Sequence, residues 1–152
     1  MQLSNLYSQS GSQTFVNRIN QLTPTTTAQW GKMNVSQMMA HCNVSFEMGH
    51  NENFKKSNGF LRFILKNLVK GGLVNEKPLK KNSSTAPEME IKTEKDFVQE
   101  KQMLVNYLNK TVELCENYFN GKDHPGFGVM TSSEWNVFLG KHLDHHLTQF
   151  GV

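Results

Sequence analysis

The sequence predicts an all-α protein, an antiparallel four-helix bundle with one extra short helix. Three observations carry that expectation. Apolar residues recur at helical spacing over long stretches, and alternating, strand-like runs are few. Helix-start signals stand ahead of those stretches at Asn34, Thr93 and Thr131. The connections are short, which sets long helices side by side.

The elements follow in chain order. A first helix is expected over about residues 11–22, where Phe15, Ile19 and Leu22 share a face and Thr23-Pro24 ends it. The stretch "TPTTTAQWGKM" then reads as a loop. A second helix begins at Asn34, spaced from Gln37 as in a capping box, and runs to about His50. A shorter third helix covers roughly Asn58 to Lys70, with Gly71-Gly72 as its stop. The polar segment "NEKPLKKNSSTAPEME" connects it to the longest helix. That helix is expected from Thr93, with Asp96 as a further capping signal. Phe97, Leu104, Leu108, Val112, Cys115 and Phe119 form its apolar stripe, and Gly121 ends it. After "GKDHPGFGVM", Thr131 and Glu134 make a capping box for a last helix from Ser132 to about Gln149.

Composition narrows the function classes. The chain has 152 residues, which suits a single domain over residues 1–152, and 37% of them are hydrophobic. A net charge of +3 is too weak an imbalance to argue for nucleic acid. The basic stretch "EKPLKKNSST" lacks interleaved aromatics and reads as a solvated loop. No run has the length of a membrane span: "GFLRFILKNLVKGG" is too short and carries Arg62 and Lys66. The start "MQLSNLYSQS" has neither a basic n-region nor an apolar run, so a cytoplasmic protein is expected. Cys42 and Cys115 are then expected as buried free thiols.

The chemistry gathers in "KHLDHHLTQFGV", which holds His142, His145 and His146 out of six histidines in all. On a helical wheel, His142 and His146 continue the face of Trp135, Phe138 and Leu139, about 40° apart. His145 falls at the edge of that face. Asp144, Lys141 and Thr148 lie off it. Imidazoles at i and i+4 stand one above the other and can aim nitrogens at one ion. A third ligand must come from another helix, and His41 in "QMMAHCNVSF" is the candidate. Three nitrogens leave positions free for water or substrate, the style of a catalytic site. The bland reading is a set of core histidines bonded to separate carbonyls. Glu47 points away from His41 on the wheel, so no general base stands out. His50 and His124 sit among polar or turn-forming neighbours and read as surface or loop residues. Trp30 and Trp135 read as core or loop-anchoring aromatics. Gln149 is the candidate to fix a ring tautomer through its second nitrogen.

His41 on the second helix, followed by His142, His145, His146 and Gln149 as H-x-x-H-H-x-x-Q, resembles the DinB/YfiT-like metalloenzyme family. The blocks "WGKMNVSQMMAH" and "EWNVFLGKHLDHHLTQFGV" look most like an uncharacterised branch of it; between them the similarity is mainly a helix pattern. The resemblance implies an up-down-down-up bundle and a divalent metal, nickel or zinc, on His41, His142 and His146. His145 matches a position that is usually not a ligand. Characterised members use low-molecular-weight thiols such as bacillithiol, mycothiol or glutathione. The resemblance therefore implies a thiol transferase or hydrolase that activates a thiol or water, with a small-molecule substrate as partner. From charge and hydropathy neither nucleic acid nor a membrane is expected as partner, and a homodimer stays open. Two other readings stay open: a metal- or small-molecule-binding bundle without turnover, and a structural dimerisation bundle with core histidines.

Overall fold

The computed structural model describes residues 4–152. The expectation about a leader segment falls partly on residues 1–3, outside that range. The long helices are α1 (Gln9–Gln21), α2 (Val35–His50), α5 (Phe97–Phe119) and α6 (Ser132–Gln149). Two short helices, α3 (Gly59–Ile64) and α4 (Lys70–Leu73), are joined by a π turn, Leu65–Val69. A 3-10 turn, Pro87–Met89, lies in the long connection before α5. Strands β1 (Lys122–His124) and β2 (Gly128–Met130) form a small antiparallel hairpin between α5 and α6. The expected helical bundle is therefore present. Both α1 and α2 pack on α5 and on α6, so the order around it is α1, α5, α2, α6. Leu6, Ile19, Met38, Met39, Phe46, Leu104, Leu108, Phe119 and Trp135 fill its centre, none more than 1% exposed.

Side-chain caps set the helix starts. Asn34 and Thr131 each complete a capping box, with Gln37 and Glu134 reaching back to the cap N–H. A cap of this kind contributes about 1 kcal/mol. α1 begins earlier than expected because the Ser8 side chain accepts from the Gly11 N–H. α5 begins later than Thr93. Asp96 is itself the cap, accepting from Gln99 N–H, because Asp96 and Gln99 repeat the spacing that Thr93 offers with Asp96.

Three further expectations give way. Gly71-Gly72 do not stop the third helix; the backbone stays helical to Leu73. Its last carbonyls find donors: Asn75 Nδ2 bonds Gly71 O at 2.7 Å and Lys141 Nζ bonds Gly72 O at 3.0 Å. The α5 stripe breaks at Cys115, where φ is 61° and ψ is 172°. That kink turns Cys115 outward, so it is exposed rather than buried, and Val112 is only partly covered. Thr111, 0% exposed, takes the core position instead, its hydroxyl donating to Tyr107 O. Phe119 returns to the core beyond the kink. Cys42 is buried as expected. Among the described residues no helix is long and apolar enough to cross a membrane.

Candidate metal centre

The site lies between the inner faces of α2 and α6. Because Asn34 fixes where α2 starts, His41 arrives two turns in on the side that meets α6. Thr131 fixes α6 likewise, so Trp135, Phe138 and Leu139 enter the core and His142 and His146 follow on the same face. Trp135 is 0% exposed and its indole N–H donates to Lys122 O at 3.3 Å. Phe138 stacks on the His142 ring with centroids 6.4 Å apart.

His41, His142 and His146 converge. Each offers a ligand atom, and the three atoms lie within 4.8 Å of one another. His142 Nε2 is 2.8 Å from His41 Nε2 and 3.2 Å from His146 Nε2. Ring centroids are 4.7 Å apart in all three pairs, so the rings form a nearly equilateral cluster. His41 and His146 are buried, while His142 keeps some exposure.

The second ring nitrogens decide what this cluster can do. His41 Nδ1 sits 2.8 Å from the Met89 carbonyl, which only accepts, so Nδ1 carries the proton. His146 Nδ1 sits 2.7 Å from Gln149 Oε1. The Gln149 amide is oriented by its other end, where Nε2 donates to Trp30 O at 2.6 Å. His146 Nδ1 therefore donates as well. Both Nε2 atoms are then bare lone pairs aimed at a common point. His142 Nδ1 meets Ser45 Oγ at 2.9 Å, where either partner can donate. Even if His142 Nε2 held a proton, one proton cannot serve two opposing lone pairs. The cluster lacks a positive centre, and a divalent ion with Zn–N bonds of about 2.0–2.1 Å is a group that fits. Such an ion spaces tetrahedral nitrogens roughly 3.3 Å apart, close to what the rings already show.

Burial lowers the pKa of all three rings. His146 is pushed down to about 3, chiefly by burial and then by His41. His41 is lowered by burial, partly offset by the Met89 carbonyl. His142 falls well below the ordinary imidazole value, first through desolvation and then through its two neighbours. Neutral imidazole is the metal-binding form, and the direction of these shifts favours it.

The other expectations divide. Gln149 lies where its position suggested, with Oε1 2.7 Å from His146 Nδ1. His145 stays outside the cluster, with its ring 5.1 Å from that of His146. Glu47 faces away and accepts from Asn51 Nδ2 at 3.3 Å. His50 and His124 are not surface residues. His50 is half-buried among Phe46, Tyr107 and Phe119. His124 is 4% exposed, stacked on Phe127 with centroids 4.2 Å apart. Its Nδ1 accepts from the Gly126 and Phe127 N–H groups, an aromatic cap for the hairpin turn. A histidine followed by Pro-Gly at a turn was the available signal. Lys141, placed off the inner face by the wheel, is 1% exposed, because its Nζ donates to Gly72 O, Asn75 O, Asn75 Oδ1 and Lys77 O. Those acceptors are mostly backbone, which leaves no side-chain signal.

A family model described as "Protein of unknown function (DUF1569)" matches residues 2–151. No curated protein and no solved structure matches the chain. With almost its whole length matched and a buried three-histidine cluster between α2 and α6, the chain belongs to the DUF1569 family.

Proposed function

We propose that this is a divalent-metal protein of the DinB/YfiT-like superfamily, with His41, His142 and His146 as ligands, and that it acts as a metalloenzyme on a low-molecular-weight thiol or on water. One observation carries the reading: Nε2 atoms that converge while every Nδ1 is held from behind. When bound, nickel or zinc supplies a Lewis acid that lowers the pKa of a thiol or water. The chain's own residues do the rest. Met89 O and the Gln149 amide hold His41 and His146 in the lone-pair-inward tautomer, and Ser45 fixes the His142 ring. Such outer partners orient ligands and raise their basicity. Phe138 packs one turn before His142, its ring parallel to the imidazole with centroids 6.4 Å apart. The three-nitrogen set leaves room for a reacting atom, as catalytic sites do.

The test is elemental analysis of protein purified without a nickel column, beside a triple variant with His41, His142 and His146 changed to Ala. About one equivalent of a divalent metal is expected in the first and none in the second. A metal-free wild type that also fails to take up zinc or nickel on dialysis overturns the reading. Stoichiometric metal with no metal-dependent thiol or hydrolytic chemistry turns it into the binding bundle without turnover.

A further inference from the structure

Beside the triad lies a cleft of about 130 Å³ whose charge is unbalanced. Trp30, Pro78 and Leu79 give it apolar walls, and Lys81, Asp144 and His145 give it polar ones. Asp144 is already neutralised, with Arg18 Nη1 2.7 Å from its carboxylate. Lys141 is spent on backbone carbonyls. Lys81 is different. Among the described residues it has no acidic partner, and its ammonium lies over the Trp30 ring, 3.9 Å from the centroid. The net free charge of the cleft is therefore positive. Beside the cleft the Trp30 indole N–H is buried with no acceptor, and the His145 ring packs edge-on to Trp30, with centroids 5.8 Å apart. On α6, His145 stands between this cleft and the triad, its ring 5.1 Å from that of His146.

The backbone is built to place this wall. Gly31 has φ of +86°, and a Cβ there would collide with the Gln149 amide. The turn at Trp30-Gly31 thus lets the Trp30 carbonyl reach Gln149, which in turn holds His146. The cleft wall and one triad ring are two hydrogen bonds apart.

We infer that the cleft between Trp30, Lys81 and His145 is a subsite for an anionic group of the substrate, and that a carboxylate carried by a small thiol is the chemistry it selects. The inference rests on the metalloenzyme reading for what happens at the triad. A cleft of this volume holds roughly four water molecules, the size of a carboxylate with one or two methylenes. Lys81 supplies the charge and Trp30 the apolar floor. His145 lines this cleft and neighbours His146, so a substrate carboxylate on Lys81 would direct the rest of the molecule along His145 toward the triad.

Two titrations of the full chain test this and separate it from the metal reading. In metal-free protein, the indole N–H resonance of Trp30 is followed while propionate or propionamide is added, with Trp135 as the internal reference. Propionate should move the Trp30 signal saturably and propionamide should not. Lys81→Met should weaken propionate about fivefold, the scale of one partly exposed charge pair. In cobalt-loaded protein, 3-mercaptopropionate should be preferred to 3-mercaptopropionamide by a similar factor, and Lys81→Met should remove that preference without changing cobalt content. Failure to bind cobalt sinks the metal reading alone, since the Trp30 titration needs no metal. Equal responses to acid and amide, or a propionate affinity unchanged in Lys81→Met, overturn the subsite.

Discussion

Two histidine groups sit at opposite ends of the contact between α2 and α6. At one end His41, His142 and His146 turn their Nε2 atoms toward one point. At the other, His50 and His124 are also covered and also lowered in pKa, to about 4 and about 3. His41 and His50 share α2, about 13 Å apart along its axis. Phe138 stands between the groups, its ring 5.1 Å from that of His124 and 6.4 Å from that of His142. Yet His50 and His124 work singly. His50 Nδ1 donates to Phe46 O within its own helix, and His124 caps a turn. Burial and a depressed pKa are thus common to both ends and diagnose nothing. What differs is whether the inward nitrogens meet, and whether the outward ones are held so that the inward ones are lone pairs.

The largest expected effect separates the ends directly. His142→Ala should reduce bound metal from about one equivalent to none, because it removes the ring both partners face. His50→Ala and His124→Ala should keep full stoichiometry even where they lower stability. Metal lost equally from all three variants would erase the distinction drawn here.

Next comes the packing between the ends. Trp135 is 0% exposed and touches Phe119, His124 and Phe138 at ring distances of 6.2, 5.3 and 6.0 Å. Trp135→Ala should destabilise the metal-free chain by roughly 3–5 kcal/mol in urea unfolding. A loss under about 1 kcal/mol would mean that the aromatic layer does not hold α6 in place.

How much of this was legible beforehand follows from where each signal resides. The triad rests on i,i+4 spacing within α6 and on inner-face position in α2, and both are local properties of a helix. Ser45 stands one turn beyond His41 on α2, but its bond to His142 depends on how two helices approach. Met89 lies in a turn far along the chain, and its carbonyl has no residue-type signature at all. The burial of His124 and Lys141 depends on tertiary backbone partners that helical periodicity does not reveal, the Gly126 and Phe127 N–H groups for one and the Gly72, Asn75 and Lys77 carbonyls for the other. The break at Cys115 went unseen because its neighbours fit a continuous helix. The order of the caps at Thr93 and Asp96 was ambiguous by spacing alone.

A smaller effect tests whether the outward nitrogens matter. Gln149→Leu keeps much of the side chain's bulk but leaves His146 Nδ1 without its acceptor. Metal affinity should fall about 10- to 100-fold, the usual size for an outer partner. Competition against a chromophoric chelator measures it. Affinity within twofold of wild type would show that the bundle alone orients the ring.

The smallest effect is the acid response at the end formed by His50 and His124. His124 is lowered to about 3, first by burial, with Asp123 opposing and Arg62 and Lys70 adding. In the unfolded chain its pKa is about 6.5. Between those values the unfolded state binds more protons than the folded one, so stability rises with pH. Acidification from pH 7 therefore removes stability, starting near 6.5 and ending only near the folded value. All six histidines are shifted in the same direction, so the metal-free chain should lose stability steeply across this window. His124→Asn keeps a side-chain acceptor near the Gly126 and Phe127 N–H groups but does not titrate. It should flatten the slope of unfolding free energy between pH 6.5 and 4.5 by at most about 1.4 kcal/mol per pH unit, the limit for one proton. The metal-loaded chain should show the same difference between wild type and His124→Asn, because His124 takes no part in binding. A difference that vanishes on loading would tie the two ends together through Phe138, and the separation argued from their geometry would fail.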